Sequence, residues 1–132
     1  MTKNIWLVDD DLIWAFALRK MIDRLGFPCV FRHFPDGKCA IDALTEHLVQ
    51  QALLPHIILL DLRMPVMSGW EFMEAYTILW QATGHSTRIR IYIVSSSLHA
   101  IDTAGSEKYT DVGGYLVKPV SKEQLRDIVS SS

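Results

Sequence analysis

Several residues of this chain have side chains suited to holding a hard cation or an anion, and each directly follows a short apolar run. Asp9 and Asp10 follow Ile5-Trp6-Leu7-Val8, and Asp61 follows Ile57-Ile58-Leu59-Leu60. Ser95 follows Arg88–Val94, and Lys118 follows Tyr115-Leu116-Val117. Three carboxylates gathered in one place repel one another unless a cation neutralises them, and hard oxygen ligands of this kind suit Mg2+. A lysine opposite stabilises an anion, and a metal-bound anion beside a carboxylate is the arrangement of phosphoryl chemistry. Each residue also has a plainer reading. An aspartate such as Asp11 before a helix is commonly an N-cap placed well for the helix dipole. A serine after a strand is a cap more often than a ligand, and Lys118-Pro119 reads as a turn. Asp61 resists the plainer reading, because an acid directly after four buried aliphatics costs stability without a partner.

The elements that must carry these residues alternate along the chain. Five short apolar runs read as strands: Ile5–Val8, Cys29–Phe34, Ile57–Leu60, Arg88–Val94 and Tyr115–Val117. The fourth alternates strictly, with Ile89, Ile91 and Ile93 on one side and Arg88, Arg90 and Tyr92 on the other. Continuous apolar runs suit a parallel sheet covered on both faces. Between them lie helical patterns. Ala15, Leu18, Ile22 and Leu25 share a face that Gly26 closes; Asp36 caps a second helix carrying Ile41, Leu44 and Leu48. Ser68-Gly69-Trp70-Glu71 and Ser121-Lys122-Glu123-Gln124 are capping boxes opening the third and fifth helices. Leu98–Thr110 is the weakest helical stretch, with Gly105 inside it and few apolar anchors. Five βα units predict an α/β fold, an open doubly wound (βα)5 sheet with right-handed crossovers. In such sheets the ligand crevice lies beyond the carboxyl ends of the strands, where the candidate residues stand.

Composition narrows the function classes. The 132 residues leave room for one domain, and 49% hydrophobic against 21% charged residues excludes intrinsic disorder. A net charge of −2 is no footprint for nucleic acid or an anionic membrane. The longest apolar run, Leu12–Leu18, falls far short of the ~18 residues of a membrane span. Asp9-Asp10-Asp11 interrupts the N-terminal apolar stretch too early for a signal-peptide core. Cys29 and Cys39 lack a CxxC spacing and are expected to be reduced thiols of a cytoplasmic protein. His33, His47, His56, His85 and His99 show no paired metal-ligand spacing and read as surface or loop residues. Trp14 and Trp80 lie off the main core stripes, open either to partial burial or to an exposed contact.

Taken together, four stretches resemble the receiver domain of two-component response regulators, in its single-domain, chemotaxis-regulator-like form. They are Ile5–Asp11, Ile58–Pro65 with Ser68-Gly69, Ile93–Ser96, and Gly114–Pro119. The resemblance covers essentially the whole chain, residues 1–132, and only a few serines follow the fifth helix. It implies a flavodoxin-like fold of strand order 2-1-3-4-5 with helices on both faces. It implies that Asp61 is the phosphoacceptor, taking a phosphoryl group from the phosphohistidine of a sensor kinase or histidine phosphotransfer protein. Asp10 and Asp61 would ligate Mg2+ through their side chains and Arg63 through its backbone carbonyl, with Asp9 helping largely through water. Lys118 would pair with the phosphoryl oxygens, and its bond to Pro119 would be cis. Ser95 would donate its hydroxyl to the phosphoryl group, and Tyr115 would be the aromatic switch that turns inward. Arg63 and Ser97, two positions beyond Asp61 and Ser95, would flank the phosphoryl group and tune its lifetime.

By this resemblance the chain is a phosphoprotein and a phosphorelay switch, not an enzyme beyond its own phosphorylation and dephosphorylation. A downstream protein would bind the face formed by the fourth helix, fifth strand and fifth helix, with no direct nucleic-acid or membrane contact. Two rival readings remain at this point. Asp9-x-Asp11 is similar to the nucleophile motif of haloacid-dehalogenase-like phosphatases, but that reading leaves Asp61–Pro65 unexplained. A phosphorylation-independent adaptor would have little reason to keep a full set of acids, hydroxyl and lysine. A flavin-nucleotide carrier of the same architecture is disfavoured, because three aspartates after the first strand would repel its phosphate.

Overall fold

The computed structural model describes residues 2–84, 88–96 and 112–131. The predicted helix Leu98–Thr110 lies outside them. Five parallel strands form one sheet: β1 (Lys3–Val8), β2 (Cys29–Phe34), β3 (Ile57–Leu60), β4 (Arg90–Ser95) and β5 (Val112–Val117). Their order is β2-β1-β3-β4-β5, the one the resemblance implied. The described helices are α1 (Leu12–Asp23), α2 (Gly37–Gln50), α3 (Gly69–Thr83) and the C-terminal α4 (Lys122–Ser130).

Strand side chains alternate between faces, so a strand buried on both sides must be apolar throughout. β3 satisfies this along its whole length and β1 from Ile5 to Val8. Trp6, Val8, Ile58 and Leu60 pack with Ile91 and Ile93 against Ala40 and Leu44 of α2 and Phe72 and Tyr76 of α3. Ile5, Leu7, Ile57 and Leu59 pack with Tyr92 and Val94 against Leu18 and Ile22 of α1 and Leu125 and Val129 of α4. Each fully buried aliphatic contributes about 1.5–3 kcal/mol over its exposed form. The central strands are thereby the rigid base from which Asp9 and Asp61 project.

Helix starts follow the sequence closely. Asp11 and Asp36 accept from the backbone N–H of Trp14 and Cys39 as N-caps, and Ser68 and Ser121 both complete their capping boxes. Three details differ from expectation. α1 stops at Asp23, and Leu25 is buried just past the Arg24 C-cap, while Gly26 supplies a left-handed turn at φ 83° rather than the helix end itself. Trp14 is buried in the core on the α1 side, its indole nitrogen without a hydrogen bond among the described residues. β5 begins at Val112 and takes in both glycines, which lie against the Tyr92 ring where β4 and β5 shift register.

Candidate functional site

The carboxyl ends of β1 and β3 lie side by side, since Val8 pairs with Leu60. The next residues, Asp9 and Asp61, are therefore neighbours, and the Asp61 N–H donates to the Val8 carbonyl at 2.9 Å. Oxygens of Asp9, Asp10 and Asp61 all come within 4.8 Å of one another. Asp9 and Asp61 are buried, whereas Asp10 faces solvent. Lys118, at the end of β5, reaches across the sheet edge: its Nζ lies 2.6 Å from Asp9 Oδ2 and 4.0 Å from Asp61 Oδ1. Its backbone N–H donates to the Ser95 carbonyl at 2.9 Å, tying the ends of β4 and β5 together, and its bond to Pro119 is cis.

Asp9 is held on every side. Its N–H donates to the Phe34 carbonyl at 3.0 Å, and its Oδ1 accepts from the Asp11 N–H at 2.9 Å. His33 Nε2 meets its backbone carbonyl at 2.6 Å. Oδ2 makes the close ionic contact with Lys118 but, among the described residues, receives no well-directed hydrogen bond. Asp61 is different. Burial, then the Asp9 carboxylate, push its pKa up to about 6, against the pull of Lys118 and the Arg63 backbone N–H. Gly69, the first residue of α3, packs under this turn. A Cβ there would press into the Asp61 carbonyl oxygen and lie 2.8 Å from Leu62 Cα.

This geometry suits a divalent cation. Among the described residues three convergent carboxylates face Lys118, Asp9 Oδ2 is buried without a hydrogen bond, and burial with the Asp9 carboxylate raises the Asp61 pKa. A hard cation relieves all three conditions at once. The Asp10 side chain is open to solvent and gives an ion a way in.

The other expected residues are distributed as follows. Ser95 is buried at the end of β4, on the same sheet edge. Tyr115 sits in β5 opposite Ile93 and is 38% exposed. The Arg63 side chain is exposed, and Ser97 lies outside the described residues. The reading of the histidines as surface or loop residues needs correction for His33, which lies half-buried within β2, whereas His56 sits in the loop before β3 and His47 in a partly exposed place on α2. His33 bears on the site and was missed. The available signal was its place one residue before the end of β2, beside the strand that delivers Asp9. Trp80 is half-buried against Tyr76.

Comparison with known proteins gives one consistent answer. The family described as Response regulator receiver domain matches residues 5–130. The probable methanogenesis regulatory protein FilR2 of Methanothrix harundinacea is 33% identical over 127 residues, covering 95% of this chain and 77% of FilR2. The polar-differentiation response regulator DivK of Brucella ovis is 25% identical over 134 residues, covering 99% of this chain and 96% of DivK. The crystal structure of a two component response regulator from Cytophaga hutchinsonii superposes with a TM-score of 0.82 at 26% identity, covering 98% of this chain and 95% of that one.

Proposed function

This chain belongs to the response regulator receiver family, and on that premise we propose that Asp61 is its phosphoacceptor and that residues 1–132 form one receiver domain. Receiver domains bind Mg2+ at an acidic cluster of the kind seen here and exchange phosphoryl groups with histidine kinases or phosphotransfer proteins. The observation that carries the assignment is the state of Asp61: buried, desolvated and flanked by Asp9, Asp10 and Lys118.

An Asp61 carboxylate oxygen attacks phosphorus as the bond from phosphorus to the donor imidazole nitrogen breaks; the donor ring, protonated on its other nitrogen, takes the bonding pair and leaves as neutral imidazole. Desolvation raises the basicity of the carboxylate, yet a pKa near 6 leaves it largely ionised at neutral pH. Asp9, Asp10, Asp61 and the Arg63 carbonyl would hold Mg2+, which when bound neutralises charge on the phosphoryl oxygens. Lys118 pairs with the same oxygens, exchanging its contact with Asp9 for one with the new anion. Ser95 donates its hydroxyl and Tyr115, exposed in this structure, moves into the space vacated. The readout face would include β5 and α4, with the predicted helix Leu98–Thr110 lying outside the described residues. The phosphodonor approaches over α1, where Leu12, Ile13 and Phe16 stand exposed immediately after the acidic turn. The chain catalyses only its own phosphorylation and dephosphorylation, acts in the cytoplasm and partners proteins rather than nucleic acid or membrane.

The phosphatase alternative finds no support in the family match, and Asp9 is fully buried between Lys118, Asp11 and His33. Incubation with acetyl phosphate and Mg2+ should give one acid-stable, base-labile phosphoryl group, absent from Asp61→Asn and from chelator-treated protein. Equal labelling of Asp61→Asn would refute the assignment.

A further inference from the structure

Asp10 is the exposed member of the acidic cluster, and among the described residues no hydrogen bond or ion pair holds its side chain. Its position therefore depends on the backbone that delivers it. The Asp9 N–H and carboxylate are fixed by Phe34, Asp11 and Lys118, but none of these contacts acts on the peptide joining Asp9 to Asp10. His33 does. Its Nε2 lies 2.6 Å from the Asp9 carbonyl oxygen, the oxygen of that peptide. A carbonyl can only accept, so Nε2 carries the proton and the imidazole is the donor. His33 comes from β2, where it pairs in register with Leu7, so the contact clamps the acidic turn to the neighbouring strand.

We propose that His33 is a positioning residue for the cation site: its Nε2–H fixes the plane of the Asp9–Asp10 peptide and so presents the Asp10 carboxylate to the metal. Without that donor the peptide can rotate, and the Asp10 carboxylate swings with it. Groups that orient metal ligands from behind commonly change affinity by about tenfold or more when removed. The inference rests on the cation-binding reading given above.

The test is a calorimetric Mg2+ titration of the full chain at one fixed pH, comparing parent, Asp10→Asn, His33→Ala, His33→Phe and His33→Gln. Urea melts in chelator run alongside to report fold stability without metal. His33→Phe keeps ring bulk without a donor, and Gln places an amide N–H near the position of Nε2. The expected result is a Kd weakened by about tenfold in Ala and Phe and recovered to within about twofold by Gln, whatever their metal-free stabilities. If His33→Ala fails to fold, Phe against Gln decides. Parent-like Mg2+ affinity in His33→Phe, even with lowered stability, would mean the histidine is only structural and would overturn the proposal. A parent that binds no Mg2+, or an Asp10→Asn that binds it equally well, would instead overturn the cation site, and this proposal with it.

Discussion

Asp61 links the pocket's electrostatics to a measurable pH dependence. The unfolded chain releases this proton near 3.8 and the folded protein near 6, so between those values the folded state binds more protons. Stability from this group is therefore present below about pH 4 and lost as pH rises toward 6. The full difference is worth roughly 2 to 3 kcal/mol. Metal-free parent protein should show this decline in urea melts across that window, and Asp61→Asn should lack it. An equal decline in both would place the perturbed acid elsewhere. Arg63 is the residue proposed to govern the opposite property, how long the phosphoryl group survives. Its side chain is exposed and long enough to lie over the phosphoryl oxygens and obstruct an in-line water, while the metal ligand proposed for this residue is its backbone carbonyl. Arg63→Ala should lose phosphate about tenfold faster, a barrier change of about 1.4 kcal/mol. First-order decay of both phosphoproteins under the same Mg2+ measures it, and equal or slower decay in the mutant would remove the shielding role. At this scale the acids and the lysine were legible because each follows an apolar run. His33 was not, since its role depends on which strand lies beside β1.

The strand ends and helix starts set the spacing of the pocket, and they constrain each other at Gly69. α3 begins where the turn after β3 returns beneath Asp61, and the absence of a Cβ lets the two backbones meet. Gly69→Ala should destabilise the fold by about 1–3 kcal/mol, the range for overpacking. It should also slow labelling of Asp61 by acetyl phosphate, because relief of the clash displaces the turn that carries Asp61. A urea melt with unchanged midpoint would contradict this packing argument. Capping residues made the helix starts readable in advance: Asp11, Asp36, Ser68 and Ser121 all bond the backbone as their types suggest. The end of α1 and the burial of Trp14 were less readable. Leu25 continues the apolar spacing although the helix has already closed, and Trp14 is drawn inward by a packing layer shared with α4.

At the scale of the molecule, the parallel sheet brings acids distant in sequence together at one edge, and the fold bears the cost of their repulsion. A cation bound only by the folded chain should therefore raise its stability, by about 1.4 kcal/mol at ten times its Kd. Asp10→Asn should lose most of that gain; a melt of the parent insensitive to Mg2+ would sink the claim. The βα alternation was legible from the apolar runs. The strand order was not, since several orders satisfy the same alternation, and it came from the resemblance before the structure showed it. The central claim is the identity of the phosphorylated atom, and the most direct test is to trap it. Borohydride reduces an aspartyl phosphate to homoserine, releasing phosphate and marking the residue that carried it. After phosphorylation with acetyl phosphate and Mg2+, peptide mapping should find homoserine at position 61 alone. Homoserine at position 9, or a phosphorylated protein with position 61 unmodified, would contradict the account.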